Sequence, residues 1–467
     1  MSARAERGVT RSLAVRVGSA AALVTASVGG LVALDTGEVD AATTLTVDDL
    51  SDGGAAANDC LNHIPGRCSL RDALAAATNG DTIDFAPSLF VGGARTLQLN
   101  GLHGRLTATR SVSIIGPGAT LLAVRADDAY QFRALTVTAG ATNVTISGLT
   151  FSNGRDGTGA GLRFDNLGTT ALEDVVLTGN TATAGGGGAY FNNSGDVTIV
   201  DSTVHGNAST SLNGAGLYFR TNGQHVSIVD STIDGNTAAG SAAALRFGWT
   251  NTAVLIANST ITGNSSATGA PAIAHNGGPL TIAQSTITGN TGGLAIRNLN
   301  SYTTALTLSG TVVSGNAATD VTMVAAGDVA TTVVANGSFI GGVDGRVTLT
   351  NPLVGSPNQR GADPKVGALA DNGGRTRTML PLTGSPLLDT GPVPVATFPR
   401  DTWDQRGTGH PRVDGPRVDI GAIEVPAPPA PTTTTSTSTT TTTVTPSTTT
   451  SPTTAVPVDP VIPVFTG

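Results

Sequence analysis

Lysine, cysteine and aromatic residues are scarce in this 467-residue chain: one Lys (Lys365), two Cys, and aromatics at 4% of the total. Charged residues are only 12% and sum to −8. Such a balance offers nucleic acid no basic surface, so nucleic-acid binding is excluded as a primary role. Low charge and few large rings also argue against a packed helical domain. After position 41 no second long apolar run appears, so no membrane span is expected in a mature chain. What is abundant is Gly, 61 residues, together with Thr, Val, Asn and Ala. That mixture suits many short strands joined by tight turns.

The start has the order of an export signal. Arg4, Arg7, Arg11 and Arg16 precede an apolar run from Val17 to Leu34, and Val39-Asp40-Ala41 follows as a small-x-small cleavage pattern near Ala41 or Ala42. Ser19, Thr25, Ser27, Gly29 and Gly30 interrupt the run and weaken it as a permanent span, with a retained anchor as the alternative. An exported protein meets an oxidising compartment, so Cys60 and Cys68 are expected to form one local disulfide. Two isolated metal ligands are the weaker reading.

Internal repetition dominates the rest. Ser202-Thr203-Val204-His205-Gly206-Asn207 returns at Ser231–Asn236, Ser259–Asn264 and Ser285–Asn290, with weaker copies ending at Asn180 and Asn316. The apolar spine Ile146, Leu172, Ile199, Ile228, Ile256, Ile282, Leu308 has spacings of 26, 27, 29, 28, 26 and 26. The spine Phe151, Leu177, Val204, Ile233, Ile261, Ile287, Val313 keeps the same spacings, so each pair belongs to one rigid unit and length varies elsewhere. Phe164, Phe191, Phe219 and Phe247, spaced 27, 28 and 28, mark a further strand, with Leu162, Ala189, Leu217 and Leu245 two residues earlier on the same face. Strands of this kind, stacked about 4.8 Å apart, make a right-handed parallel β-helix: an all-β solenoid with identical residues in columns.

Two polar columns follow from that stacking. Asn180, Asn207, Asn236, Asn264, Asn290 and Asn316 are expected to form a structural ladder of amides, occupying the left-handed conformation of a sharp turn. Asp174, Asp201, Asp230, Asn258 and Gln284 form a second column, read as a solvated corner rather than a cation site.

Both ends carry family motifs. Cys68-Ser69-Leu70-Arg71-Asp72-Ala73-Leu74, with Asp81-Thr82-Ile83-Asp84-Phe85 after it, resembles the CSLREA-type N-terminal domain, departing from it by Asp72 in place of Glu. The resemblance implies the N-terminal start of β-helix repeats in exported bacterial proteins. Ser113–Gly118 and Val144–Leu149 look like the first coils of such helices. Arg71 and Asp72 are expected in a short helix that caps the open core, because an exposed strand edge would aggregate. Toward the other end, Asp371-Asn372-Gly373-Gly374, Gly384-Ser385-Pro386, Asp389, Asp404-Gln405-Arg406-Gly407 and Asp419–Glu424 resemble the choice-of-anchor Q module of bacterial surface proteins. Asp389, Asp404, Arg406, Asp419 and Glu424 are read there as an ionic network holding a cap. Beyond Val425 the chain turns to Pro/Thr low complexity, including an unbroken run from Thr439 to Thr443, which reads as a disordered spacer. The expected organisation is therefore signal 1–41, cap 42–79, β-helix 80–345, C-terminal module 346–425 and tail 426–467, located outside the cell or on its surface and monomeric.

Chemistry is thinly marked. Asp201, Asp230 and Asp234 lie near His205 and His225, and Asp127-Asp128 reads as a turn, so no catalytic set is assigned. Asp48, Asp49, Asp52, Asn58 and Asp59 cluster ahead of the cysteines; they read as turn residues, with Ca²⁺ as the alternative. No other cofactor is expected. Arg163, Tyr190, Tyr218 and Arg246 immediately precede the Phe column and should face outward. Stacked Tyr flanked by Arg would form a flat stripe for an acidic polysaccharide, the plainer reading being residues that shield the strand face. A non-enzymatic β-helix protein with an adhesive or glycan-binding role is thus the first functional reading. A polysaccharide lyase or glycoside hydrolase is the alternative, since this fold also carries such enzymes.

Overall fold

A computed structural model describes residues 42–426, except 54–55, 193–194, 211–212, 221–224, 241, 249–251, 299–304, 318, 326–330, 346 and 353–354. The segment expected to be an export signal, 1–41, and the expected spacer beyond Pro426 lie outside the described residues. No helix among the described residues is long and apolar enough to cross a membrane.

The chain is an all-β right-handed parallel β-helix. One coil illustrates the rest: strand Val197–Val200, a corner at Asp201-Ser202, strand Thr203–His205, a turn at Gly206-Asn207, the short strand Ala208–Ser209, and strand Leu217–Phe219. Alternation decides which side chains point inward. Val197, Ile199, Val204, Leu217 and Phe219 are buried, and each pairs in parallel register with its equivalent one coil on. Phe164, Phe191, Phe219 and Phe247 stack with centroids 5.0, 4.7 and 4.9 Å apart and planes within 11°. Each such ring pair adds about 0.5–1.5 kcal/mol to the burial of its area. His275 takes the next place in the column, edge-on to Phe247 at 5.5 Å. Burial pushes its pKa down to about 4, so it sits neutral in the core.

At the N-terminal end, strand Thr44–Val47 pairs with Thr82–Phe85. Helix α1 (Ala57–Leu61) and helix α2 (Leu70–Ala76) lie against this first rung. The Cys60–Cys68 disulfide ties α1 to the residues just before α2. Ser69 and Asp72 form a reciprocal capping box at the start of α2. The shorter Asp72 thus takes the place that Glu or Gln usually holds in a capping box. Arg71 reaches from α2 to the Asp52 carboxylate at 2.7 Å and to the Gly104 carbonyl at 2.8 Å. Leu70, Ala73 and Leu74 bury into the continuous apolar core, so the cap closes it.

The asparagine ladder is buried and directional. Each Nδ2 donates to the next Oδ1: Asn180 to Asn207 at 2.9 Å, Asn207 to Asn236 at 3.0 Å, Asn236 to Asn264 at 2.8 Å, Asn264 to Asn290 at 3.0 Å and Asn290 to Asn316 at 2.9 Å. Asn316 ends the chain on the Asp320 carboxylate at 2.7 Å. Aligned amide dipoles that terminate on an anion polarise one another. A second ladder, in which Ser202, Ser231, Ser259 and Ser285 accept from the backbone one coil before, runs along the corner.

The expected backbone role of the Asn column needs correction. The left-handed residues are the glycines just before it, Gly179, Gly206, Gly235, Gly263 and Gly289, with φ from 61° to 69°. The Asn side chains are instead used for hydrogen bonding inside the turn. The corner column is the other left-handed site: Asp174, Asp201, Asp230, Asn258 and Gln284 have φ from 44° to 52°. Asp and Asn tolerate that conformation; Gln284 adopts it in line with its neighbours.

Candidate functional site

The corner column is not a solvated one: Asp201, Asp230, Asn258 and Gln284 are buried, and Asp174 is half-buried. From about residue 363 onward the chain turns back along the shaft and lies over the corner and the strand that follows it. Alternation would leave Thr232, Thr260 and Thr286 facing water, yet all three are buried. Gln405 does the covering: its Oε1 accepts from the Thr260 hydroxyl at 2.6 Å, and its Nε2 donates to the Thr232 hydroxyl at 2.9 Å and to the Thr376 hydroxyl at 3.0 Å. Thr286 accepts from the Ala422 N–H at 3.1 Å. Beside these, Phe398 packs on the outward Val229, Ala257 and Ala283.

Arginines from this returning segment meet the corner acids. Arg375 lies 3.2 Å from Asp174, Arg400 bridges Asp201 and Asp230 at 2.8 Å each, and Arg377 lies 2.8 Å from Asp234. Burial dominates the titration of Asp230 and lifts it to about 6, against the pull of its Asn258 hydrogen bond and of Arg400. Asp201 is raised for the same reason. Within the segment, Arg406 pairs with Asp404 at 2.6 Å, and the Asp404 and Glu424 carboxylates accept backbone N–H groups of Glu424, Asp414 and Asp419. Asp419 in turn accepts from the Asp389 and Val425 N–H groups. Burial raises Glu424 to about 7. Arg412 is fully enclosed and donates to the Gly421 and Ala422 carbonyls and to the Asn258 side chain.

These raised carboxylates predict an acid-favoured fold. A group whose folded pKa exceeds its unfolded value stabilises fully below the unfolded pKa and loses that effect as pH climbs through the folded one. For Asp230 and Glu424 the loss spans about pH 4 to 7. His275, depressed to about 4, acts oppositely as pH falls below its ordinary value, but it is one group against two. Thermal melting should therefore be higher at pH 5 than at pH 7.5, and the double variant Asp230→Asn/Glu424→Gln should flatten that dependence. An unchanged slope in the variant would refute the assignment.

The outward residues beside the Phe column do share one line: Arg163 pairs in register with Tyr190, Tyr190 with Tyr218, and Tyr218 with Arg246. They do not form a flat platform. Tyr190 is only 4% exposed, its ring meets Tyr218 edge-on at 63°, and the Arg163 guanidinium sits 5.3 Å over it. Arg163 itself is clamped by Asp165 at 2.5 and 2.9 Å. Tyr218 leans on Gly248, where a Cβ would come within 2.8 Å of the ring. Gly159 and Gly186 leave the room that Tyr190 occupies, and Gly248 the room that Tyr218 occupies.

Other acids are engaged locally. Asp48 accepts from Gly66 and Cys68 N–H groups, Asp49 from Ser51, and Asp52 pairs with Arg71, so three of the five residues weighed for Ca²⁺ are tied into the cap. Among the described residues no group of three or more His, Cys, Asp or Glu is placed to hold a metal ion. Asp127 and Asp128 sit in a turn, Asp128 pairing with Arg125 at 2.7 Å. His225 faces Asp196 at 3.4 Å on the surface. His205 is the exception of interest: its Nδ1 lies 2.8 Å from Asp234, which Arg377 also contacts, while its side chain is 45% exposed.

Residues 134–311 match the family described as right handed beta helix region. Among curated proteins nothing matches the chain. Three solved structures are similar to it. Pectate lyase Pel9A is 14% identical, with 82% of this chain and 96% of that chain covered at a TM-score of 0.47. An alginate lyase from Paenibacillus sp. str. FPU-7 is 13% identical, with 68% and 98% covered at 0.32. Tailspike protein 3 of bacteriophage CBA120 is 13% identical, with 64% and 59% covered at 0.25.

Proposed function

We propose that this protein is a non-enzymatic, exported β-helix scaffold, held outside the cell or at its surface, that binds glycan along its shaft. The observation that carries the reading is the fate of the shaft's carboxylates. Asp174, Asp201, Asp230 and Asp234 are each engaged by an arginine of the returning C-terminal segment, which leaves them structural work rather than an open acid pair. A hydrolase of this kind would need two carboxyl groups facing each other across a substrate cleft. The resemblance of both ends to exported surface modules supports the location.

Acidic polysaccharide is the ligand class for the stripe, through Arg163 and Arg246 beside the partly exposed Tyr218. Because Tyr190 lies beneath Arg163, its removal would act by taking away the ring on which that arginine rests, whereas Tyr218 would act by contact. The double variant Tyr190→Ala/Tyr218→Ala should cut retention on an array of uronate polymers at least fivefold. Equal retention would end the stripe's role.

The runner-up, a polysaccharide lyase or hydrolase, is favoured by one group: His205, oriented by Asp234 and flanked by Arg377. An imidazole so held has the geometry of a general base. Incubation with uronate polymers, followed by absorbance of unsaturated product and by reducing ends, decides between the two. Product above blank that disappears in His205→Ala would replace the scaffold reading with an enzyme.

A further inference from the structure

The return of the C-terminal segment builds a cleft that neither part of the chain forms alone. Its volume is about 330 Å³, and its lining combines the Gly116–Gly118 and Ser147-Gly148 turns, Glu173 and Asp174 from the next corner, and Arg375 from the returning segment. Bare backbone makes one wall. A Cβ on Gly116 would lie 2.2 Å from the Gly148 carbonyl oxygen, so the two turns close on each other only as glycines. The Gly116 N–H donates to Ser147 at 2.8 Å and the Gly118 N–H to Gly148 at 3.1 Å, which fixes that wall.

The charged groups divide by role. Asp174 accepts from the Ala119 N–H at 3.3 Å and holds Arg375 at 3.2 Å. Arg375, anchored in this way, still has a side chain 60% exposed. Glu173 is exposed, and among the described residues its carboxylate makes no hydrogen bond or ion pair. Arg375 and Asp174 cancel, so Glu173 leaves the cleft one net negative charge, which repels acidic sugars. No aromatic ring lines the cleft, so ring stacking is not its mode of binding.

What remains is an unpaired carboxylate and a guanidinium beside Asp174, both lining one cleft. Adjacent hydroxyls of a sugar have the chemistry to engage such groups, one donating to the carboxylate and its neighbour accepting from the guanidinium. We propose that this cleft binds a neutral glycan through a vicinal diol held between Glu173 and Arg375. The site is separate from the tyrosine stripe, which lies on another face, and does not depend on it. It also gives the returning segment a part in recognition, because Arg375 completes the site.

Calorimetric titration of the full chain with cello-, manno- and xylohexaose, and with hexagalacturonate, tests the assignment. At least one neutral hexasaccharide should bind, and Glu173→Gln and Arg375→Ala should each weaken it at least tenfold. Tyr190→Ala/Tyr218→Ala should leave that affinity within twofold. Glu173 is exposed and pairs with nothing among the described residues, so an unaltered melting curve should accompany the loss in Glu173→Gln, whereas Arg375→Ala is read beside its own melting curve because Arg375 also pairs with Asp174. The proposal is overturned if no neutral hexasaccharide binds the unaltered protein, if binding survives in either cleft variant, or if hexagalacturonate binds in a way those variants abolish. Failure of the stripe variants on uronate polymers would leave this result untouched, so the two readings fail separately.

Discussion

Asn236→Ala should destabilise the middle of the shaft by about 3–6 kcal/mol, because each buried polar group left without a partner costs about 1–3 kcal/mol. The alanine strands the Asn207 amide and N–H, which donate to Asn236 at 3.0 Å each, and the Val204 carbonyl, which accepts from it at 2.9 Å. It also removes the donor to Asn264. Asn236→Asp should cost nearly as much, since a carboxylate can accept from Asn207 but has no proton for Val204 or Asn264. Asn316→Ala, at the half-buried end of the column, should cost clearly less. Hydrogen exchange of the backbone amides from 197 to 264 reads the difference. If Asn236→Ala left those amides as protected as before, the ladder would be decoration on a core that holds without it.

Arg412→Leu should release the returning segment while leaving the shaft folded. Removing one partner of a buried charge set typically costs about 3–5 kcal/mol, since the partners stay buried without compensation. Here leucine would orphan the Gly421 and Ala422 carbonyls and the Asn258 side chain. It would also remove the cation that faces Asp404, Glu424, Asp230 and Asp419. Burial lowers the Arg412 pKa to about 10, still well above neutrality, so the side chain is charged where it sits. Limited proteolysis should then cut between residues 363 and 426 while the fragment from 42 to about 340 resists. A variant as resistant as the parent would show that Gln405 and Phe398 hold the segment without the arginine.

The Asn ladder rests on local, repeated information, and the Arg412 contacts on residues distant in the chain. The Asn column could be named from the chain because its members recur about once per coil, and one coil is the unit that stacks. What that column does was harder to see. Asn suits both a left-handed turn and an amide ladder, and the neighbouring Gly206, with φ of 61°, takes the turn. Asp320, where the ladder ends, carries no repeat signal because it stands outside the period, four residues after Asn316. For the tyrosines, alternation correctly placed them outward, but the tilt of their rings depends on Gly248 and Arg163, which lie on other coils.

Periodicity alone determined the solenoid, its inward spines and its stacked columns, because a repeat that buries its apolar face only against its own copies leaves one arrangement open. The fate of the outward faces was decided in three dimensions. Thr260 looks like a solvent-facing strand residue in every local respect, and it is buried by Gln405, 145 positions away. The corner acids, likewise, would be charged and hydrated if the chain stopped at 345; arginines from a segment without any repeat turn them into a buried interface. Local alternation encodes direction, whereas only a long-range contact can say what meets a side chain once it points there.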